Sequence, residues 1–434
     1  MALAIILILS SILLLKHPFF NKIDKIPYWW VFAVFILKIG LGCLITIIYT
    51  YYYPPTDSDI YKYYTQGMHL SQLAVQDPVL FIKVITGLFQ NDPEVFNFVD
   101  QLDYWFKPYN DNIYNDSRII IKLNAILGLI SRGNIYTHTI VMCLLSTMGL
   151  TALYRFFAYY IKESKKALFA AVFLFPSVLF WGSGMLKEGL FFFAIGYTLY
   201  FIHKLINKEA GWKLFLSCIP SILLMFYLKP FAGISLLPPL LALLIGKRFH
   251  ISPAYRYLFA VALFFIISLL LPYLHPGLNI YQFIFNKQKD FFNLVNAVGA
   301  GSTVYVPRIS VSAWSVIMAA PVALFNVLFR PHIFEAHSIV SLMAALENAL
   351  IALLIILSIF SSLTKKQQIF KNEIFWFALV FVTISFLIIG LTTPVAGAFV
   401  RYKTSALPFL GVLFVIAIHK DIFGWAQRKR QKKL

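Results

Sequence analysis

Long apolar stretches separated by short polar ones run through the whole chain. The apolar runs fall at 2–16, 28–50, 136–160, 167–184, 189–207, 213–228, 231–246, 256–273, 338–362, 374–392 and 404–420. A helix of about 20 apolar residues crosses the hydrocarbon core of a bilayer. The pattern therefore predicts an all-α, polytopic transmembrane bundle of about eleven spans. The first run is short, at about 14 residues, which suits a tilted helix or a thinned bilayer. It has no basic residue before it and no small-residue cleavage site after it, so it reads poorly as a signal peptide. A further run, 311–329, carries Pro321 inside and Arg308 and Arg330 at its flanks. It is expected to be a broken, re-entrant or interfacial segment.

The basic loops orient these runs. One group is Lys16, Lys22 and Lys25; others are Lys162, Lys165 and Lys166, then Lys204, Lys208 and Lys213. Lys247, Arg248 and Arg256 follow, then Lys365, Lys366 and Lys371, and a tail with Arg428, Lys429, Arg430, Lys432 and Lys433. Cytoplasmic loops are enriched in Lys and Arg. All six groups fall on one side if 311–329 does not span. The expected topology has an external N-terminus and a cytoplasmic C-terminus, with residues 1–434 forming a single transmembrane domain. Two long external loops result, 54–135 and 274–337, the second including the 311–329 element. The first holds nine of the chain's eighteen acidic residues. Within it, Ile60 to Phe89, broken near Asp77-Pro78, and Ile119 to Ile130 place apolar residues at helical spacing, as membrane-surface helices do. In the second loop, AVGAGSTVYVP lacks the lysine and the strand–helix context of a phosphate cradle and reads as a lid or plain loop.

Composition agrees with this pattern. The chain is 60% hydrophobic and only 13% charged, too few charges to coat a soluble domain of 434 residues. The net charge of +19 sits mainly in short loops, with no basic groove or RNA-binding motif, so nucleic acid is not an expected partner. Cys43, Cys143 and Cys218 lie far apart in apolar runs, which suits buried thiols better than disulfides or a zinc site.

Four polar clusters stand at the expected external ends of helices. In PPTDSDIYKYY, Asp57 and Asp59 can bind a divalent metal or accept a proton from a hydroxyl; helix capping is the structural alternative. In FPSVLFWGSGMLKEGLFFF, Lys187 runs against the positive-inside trend and suits a phosphate head group. Glu188 beside it can hold that lysine or act as a base. In LFRPHIFEAHS, Arg330 can bind phosphate bidentately, and His332 and Glu335 can transfer protons. His332, Glu335 and His337 also have metal-ligand chemistry, at a spacing unlike that of a zincin. In TTPVAGAFVRYKTSALPF, Arg401 and Lys403 place two cations where an anion would bind. Lys38 and Glu347 lie inside runs, where charges pair or line a cavity.

These features resemble the GT-C superfamily of integral membrane glycosyltransferases and related bacterial membrane proteins of surface-polysaccharide loci. TDSDIYKYY is similar to the acidic residue or pair early in the first long external loop of that group, before an aromatic-rich amphipathic helix. The Arg in AFVRYK looks like the cation that meets a lipid phosphate. One departure is the extra N-terminal run, which puts the key loop after the second span.

The resemblance implies an integral membrane glycosyltransferase of the bacterial plasma (inner) membrane, with its active face extracytoplasmic. It implies a polyprenyl-phosphate-linked sugar donor and a glycan or lipid-linked acceptor. Asp57, Asp59, Glu188 and Glu335 are the candidate catalytic residues. Lys187, Arg330, His332, Arg401 and Lys403 are the candidates for binding the lipid phosphate. A divalent metal, Mg or Mn, would sit at Asp57 and Asp59 if one is used. A repeat-unit polymerase using lipid-linked oligosaccharide could employ the same residues. A lipid-linked glycan flippase is the alternative from another class, although no inverted repeat is visible.

Overall fold

The computed structural model describes residues 1–23, 25–52, 58–89, 91–106, 115–162, 164–209, 211–299 and 302–418. Asp57 and the basic tail lie outside them. Among the described residues the secondary structure is helical, apart from one isolated bridge between Thr303 and Val395.

Among the described residues, seven helices are long and apolar enough to cross a membrane: Trp30–Tyr51, Ile135–Tyr160, Lys187–Ile206, Pro230–Arg248, Pro253–Leu274, Ile339–Leu363 and Glu373–Thr392. An eighth candidate is the pair Ala396–Lys403 and Leu407–Ile418, bent by 66°. This is the build of a multi-pass membrane protein. Its apolar exterior agrees. On Pro253–Leu274, Leu258 is 67% exposed and Leu270 is 55% exposed, positions that lipid solvates and water does not.

The remaining predicted runs are shorter or broken. Ala2–Lys16 has 15 residues and Trp212–Leu228 has 17. The 167–184 run splits into Lys165–Phe173 and Pro176–Trp181. Pro176 disfavours helical geometry at Phe175 and ends the first piece. The 311–329 run differs from expectation only in not being broken. Ala313–Phe329 is one continuous helix through Pro321. Ser312 caps it by accepting the Ser315 N–H, and Val316, Ala319 and Ala323 are buried to either side of the proline. At 17 residues it is about 26 Å long, below the roughly 30 Å of a hydrocarbon core.

Two compact units can be distinguished. Unit 1 comprises Met1–Ala152, Leu179–Tyr197 and Tyr227–Lys229. Its amphipathic helices form where the periodicity predicts them: Asp59–Gln76, Pro78–Thr86 and Ser117–Ser131. The break at Asp77-Pro78 is a restart. Asp77 caps the new helix by accepting the N–H groups of Val79 and Leu80, and Pro78 fills the first position, where its missing N–H costs nothing. Asp59–Gln76 packs along Ser117–Ser131 at close range. A Cβ on Gly67 would meet Asn124 Cβ at 2.5 Å, and one on Gly128 would meet Ser71 Oγ at 2.7 Å.

Unit 2 comprises Leu153–Val178, Thr198–Phe226 and Pro230–Leu434. Here Glu373–Thr392 packs against Pro230–Arg248 and Ala313–Phe329. Tyr281, Ile284, Ile309, Val316, Ala319, Ala323 and Leu391 form a shared apolar core.

Candidate functional site

One set of polar contacts in unit 1 surrounds the start of the Lys187–Ile206 helix. Lys187 Nζ lies 2.7 Å from Asp116 Oδ2 and donates to Ser117 Oγ at 3.2 Å. The same ammonium lies 5.4 Å from the centre of the Tyr63 ring.

Asp116 is held there by its neighbours. Asn115 Nδ2 donates to the carbonyls of Tyr104 and Trp105 at 2.9 and 3.1 Å, and its Oδ1 accepts the Ser117 N–H at 3.0 Å. Its own carbonyl accepts the Tyr227 hydroxyl at 3.0 Å. Arg118 Nε donates to the Trp105 carbonyl at 3.0 Å, and its guanidinium lies over the Trp105 and Phe106 rings. Burial pushes the Arg118 pKa down. Burial, and then the Arg118 charge, push the Lys122 pKa down as well.

Glu188 follows Lys187 but takes a different partner. It pairs with Lys229 at 3.3 Å, with side-chain exposures of 2% and 4%. Lys229 also lies 5.1 Å from the Phe191 ring centre. The sequence had offered Glu188 as the group that holds Lys187. Successive helical positions diverge by about 100°, so the two side chains address different neighbours.

Asp59 is the first residue of its helix, and the cap is Ser58, whose Oγ accepts the Tyr61 N–H at 3.3 Å. A carboxylate in a first turn is favoured by the helix dipole. Because Asp57 lies outside the described residues, the geometry of the Asp57/Asp59 pair is not defined. Among the described residues, no three His, Cys, Asp or Glu side chains gather to hold a metal ion.

The other candidates belong to unit 2. Arg330, His332 and Glu335 are brought together: Glu335 Oε1 lies 3.4 Å from Arg330 Nε and 3.3 Å from His332 Nε2. Glu335 Oε2 accepts the His332 N–H at 3.2 Å, closing a local turn. His337 is exposed. Lys403 is 1% exposed and donates to Asn348 Oδ1 and the Val327 carbonyl, so its ammonium is spent inside the unit. Arg401 is half-buried, beside Tyr402, whose ring meets Phe291 edge-on. Glu347 accepts the Ser177 N–H at 2.6 Å.

Sequence reasoning missed Asp116, Ser117, Tyr227 and Lys229. Lys229 carried a usable signal. In the predicted topology it stands in an external turn, as out of place as Lys187. Asp116 had a weaker one, a carboxylate directly before an amphipathic run.

Chemically, these contacts give two ammonium groups matched carboxylates, Lys187 beside Tyr63 and Lys229 beside Phe191. Such a site can exchange an internal carboxylate for the phosphate of a ligand. No family model, curated protein or solved structure matches this chain.

Proposed function

We propose that the chain is a membrane glycosyltransferase that moves a sugar from a polyprenyl-phosphate donor to a hydroxyl acceptor on the extracytoplasmic face of a bacterial inner membrane. The observation that carries the reading is the Lys187–Asp116 pair. It is a cation and a carboxylate 2.7 Å apart, set at a helix start beside surface-type amphipathic helices. The eleven-span topology, with an external N-terminus, belongs to the same reading. In it, Ala2–Lys16, Trp212–Leu228 and the split 167–184 run serve as short or irregular crossings.

In this mechanism Lys187 leaves Asp116 for the donor phosphate and stabilises the charge that grows on it. The acceptor oxygen bonds to the anomeric carbon while the bond from that carbon to the phosphate oxygen breaks. Polyprenyl phosphate departs, and the acceptor proton passes to Asp116. Lys229 and Glu188 keep the helix start in place. Asp57 and Asp59 are candidates for holding the acceptor. Arg330, His332 and Arg401 are the unit 2 candidates for an anionic ligand.

Native mass spectrometry of gently purified wild type and Lys187→Ala tests this. A polyprenyl phosphate species retained by wild type and lost in the variant is expected. Ordinary phospholipids alone in both would overturn it.

A further inference from the structure

The Ser117–Ser131 helix has two unlike faces. Ile120, Ile121, Asn124, Ala125 and Gly128 are buried on the side that packs along Asp59–Gln76. At about 100° per residue, Arg118, Lys122, Ile126, Leu129 and Ile130 fall together on the opposite side. This outward face is divided along its length. Its first two turns carry the two cations, both half-buried. Its last two carry Ile126, Leu129 and Ile130, which stay 44%, 47% and 57% exposed.

The cationic end is held in a fixed geometry. Arg118 Nε donates to the Trp105 carbonyl at 3.0 Å. Its guanidinium carbon lies 5.4 Å from the centre of the Trp105 ring and 5.2 Å from that of Phe106. Lys122 Nζ lies 5.7 Å from the same Trp105 ring centre. With Nε engaged, Arg118 Nη1 and Nη2 make no hydrogen bond to another described residue. Those two nitrogens are the fork that grips a phosphate by parallel hydrogen bonds.

Among the described residues, no carboxylate forms an ion pair with Arg118 or Lys122. Asp116, close by in sequence, is engaged by Lys187. Arg118 also stands in the first turn, at the positive end of the helix dipole, and no acidic residue shares that turn. Like charges four positions apart on a helix repel. An anion bound to both cations relieves the repulsion and the dipole penalty together.

A bilayer offers an anion and an apolar chain in the same order as this face. Lys122 and Ile126 are separated by about 6 Å along the helix axis, so the change from cation to apolar is abrupt. Phe106, 41% exposed, and Phe96, 52% exposed, stand with ring centres 6.2 Å apart at the cationic end. Aromatic side chains of a membrane protein collect at head-group level. A zwitterionic head brings its own ammonium, which two cations repel, whereas an anionic head brings none.

We propose that this face holds an anionic phospholipid of the surrounding bilayer, its phosphate on Arg118 and Lys122 and an acyl chain along Ile126, Leu129 and Ile130. Trp105 is a positioning residue, since its carbonyl and ring aim the guanidinium outward. The site is distinct from Lys187, whose ammonium is held by Asp116 and Ser117.

The test gives the full-length protein in detergent a phosphatidylglycerol probe with a diazirine in its acyl chain, at subsaturating concentration. Photo-adducts are mapped by peptide mass spectrometry, with the matching phosphatidylcholine probe as control. Adducts on Ile126, Leu129 or Ile130 are expected to be at least about tenfold more abundant with phosphatidylglycerol. Arg118→Gln combined with Lys122→Gln should bring the two probes level. Arg118→Lys combined with Lys122→Arg keeps both charges and should keep the preference. Equal labelling by the two probes in wild type, adducts confined to other helices, or an undiminished preference in the double glutamine variant overturns the proposal. Unlabelled polyprenyl phosphate that displaces the probe at lower concentration than unlabelled phosphatidylglycerol would give this face to a sugar carrier and overturn it too. The wild-type comparison is decisive whether or not a variant folds. No arm reads sugar transfer, so the outcome is independent of the glycosyl-transfer reading.

Discussion

Lys229 Nζ and Glu188 Oε1 stand 3.3 Å apart with both side chains almost wholly removed from solvent. Such a pair is poor evidence of net stabilisation, but breaking it strands a charge. Lys229→Met or Glu188→Gln alone should therefore destabilise the protein by about 3–5 kcal/mol. Lys229→Met combined with Glu188→Leu should recover most of that loss. Thermal unfolding in detergent measures the cycle, and singles that match wild type would show that the pair is solvated or already broken.

The Lys187–Asp116 pair is more exposed and should behave differently. Its side chains are 11% and 24% exposed, so water can reach either group when its partner is removed. Asp116→Asn should unfold little but lower sugar transfer by roughly 10²–10⁴. Transfer from a defined polyprenyl-phosphate donor into a hydroxyl acceptor is the assay. Wild-type turnover in Asp116→Asn would remove this carboxylate as the base.

The Pro78–Thr86 and Pro93–Asp100 helices are tied by Lys83, which contacts Asp92 at 2.7 Å and Glu94 at 3.3 Å. The hydrogen bond from Lys83 holds the Asp92 pKa below its ordinary 3.8, and the hydrogen bond to Asp92 holds Lys83 above 10.5. The Asp92 contribution is present above pH 3.8 and disappears as pH falls through the depressed value. The Lys83 contribution is full below pH 10.5 and disappears as pH rises through the raised value. Hydrogen-exchange protection factors across this pair of helices, taken relative to intrinsic rates at each pH, should stay constant at neutral pH and fall in acid. Asp92→Asn should show the lowered protection already at neutral pH.

Gly149 and Gly196 mark a backbone crossing in unit 1. A Cβ on Gly196 would fall 1.9 Å from the Gly149 carbonyl oxygen, and one on Gly149 would fall 2.2 Å from the Phe192 carbonyl oxygen. Backbone atoms of packed helices cannot step aside as a side-chain tip can. Gly196→Ala should destabilise by roughly 1–3 kcal/mol, whereas Gly211→Ala, where nothing stands within 4 Å, should be near neutral. Unfolding midpoints of the two variants decide this.

The proposed topology has its own check. In a cysteine-free background, Leu88→Cys, at a position 80% exposed, should react with a membrane-impermeant maleimide on intact cells. Lys208→Cys, in a basic loop, should react only after permeabilisation. The reverse pattern would invert the orientation.

Much of the architecture was legible because its causes are local. Asp77 and Pro78 stop one helix and start the next through their own donors and acceptors, so the break could be read from two residues. Lys187 stood out because a lysine in a turn expected to be external opposes the general distribution of charge. Its partner was not legible. Asp116 is one of nine acidic residues in the same long loop, and its one local mark, standing directly before an amphipathic run, does not say which cation it meets. The ring that Arg118 and Lys122 share was not legible for a related reason, since Trp105 comes from a separate segment. Pro321 misled because a proline weighs against helix by itself, while Ala313–Phe329 is held by buried contacts on both sides of it.

The apolar periodicity and the charge distribution by themselves determined that this chain is a helical, multi-pass membrane protein with amphipathic helices between its second and third long apolar runs. Those properties come from solvent preference and hydrogen bonding within single segments, which act residue by residue. Only the tertiary structure decided that Lys187 meets Asp116, that Glu188 turns to Lys229, and that Arg118 and Lys122 share the Trp105 ring. Each of those pairings depends on how helices rotate and approach, which is set by close contacts such as Gly67 against Asn124 and Gly149 against Gly196. Packing of that kind is a property of two surfaces together, and no single stretch of sequence contains it.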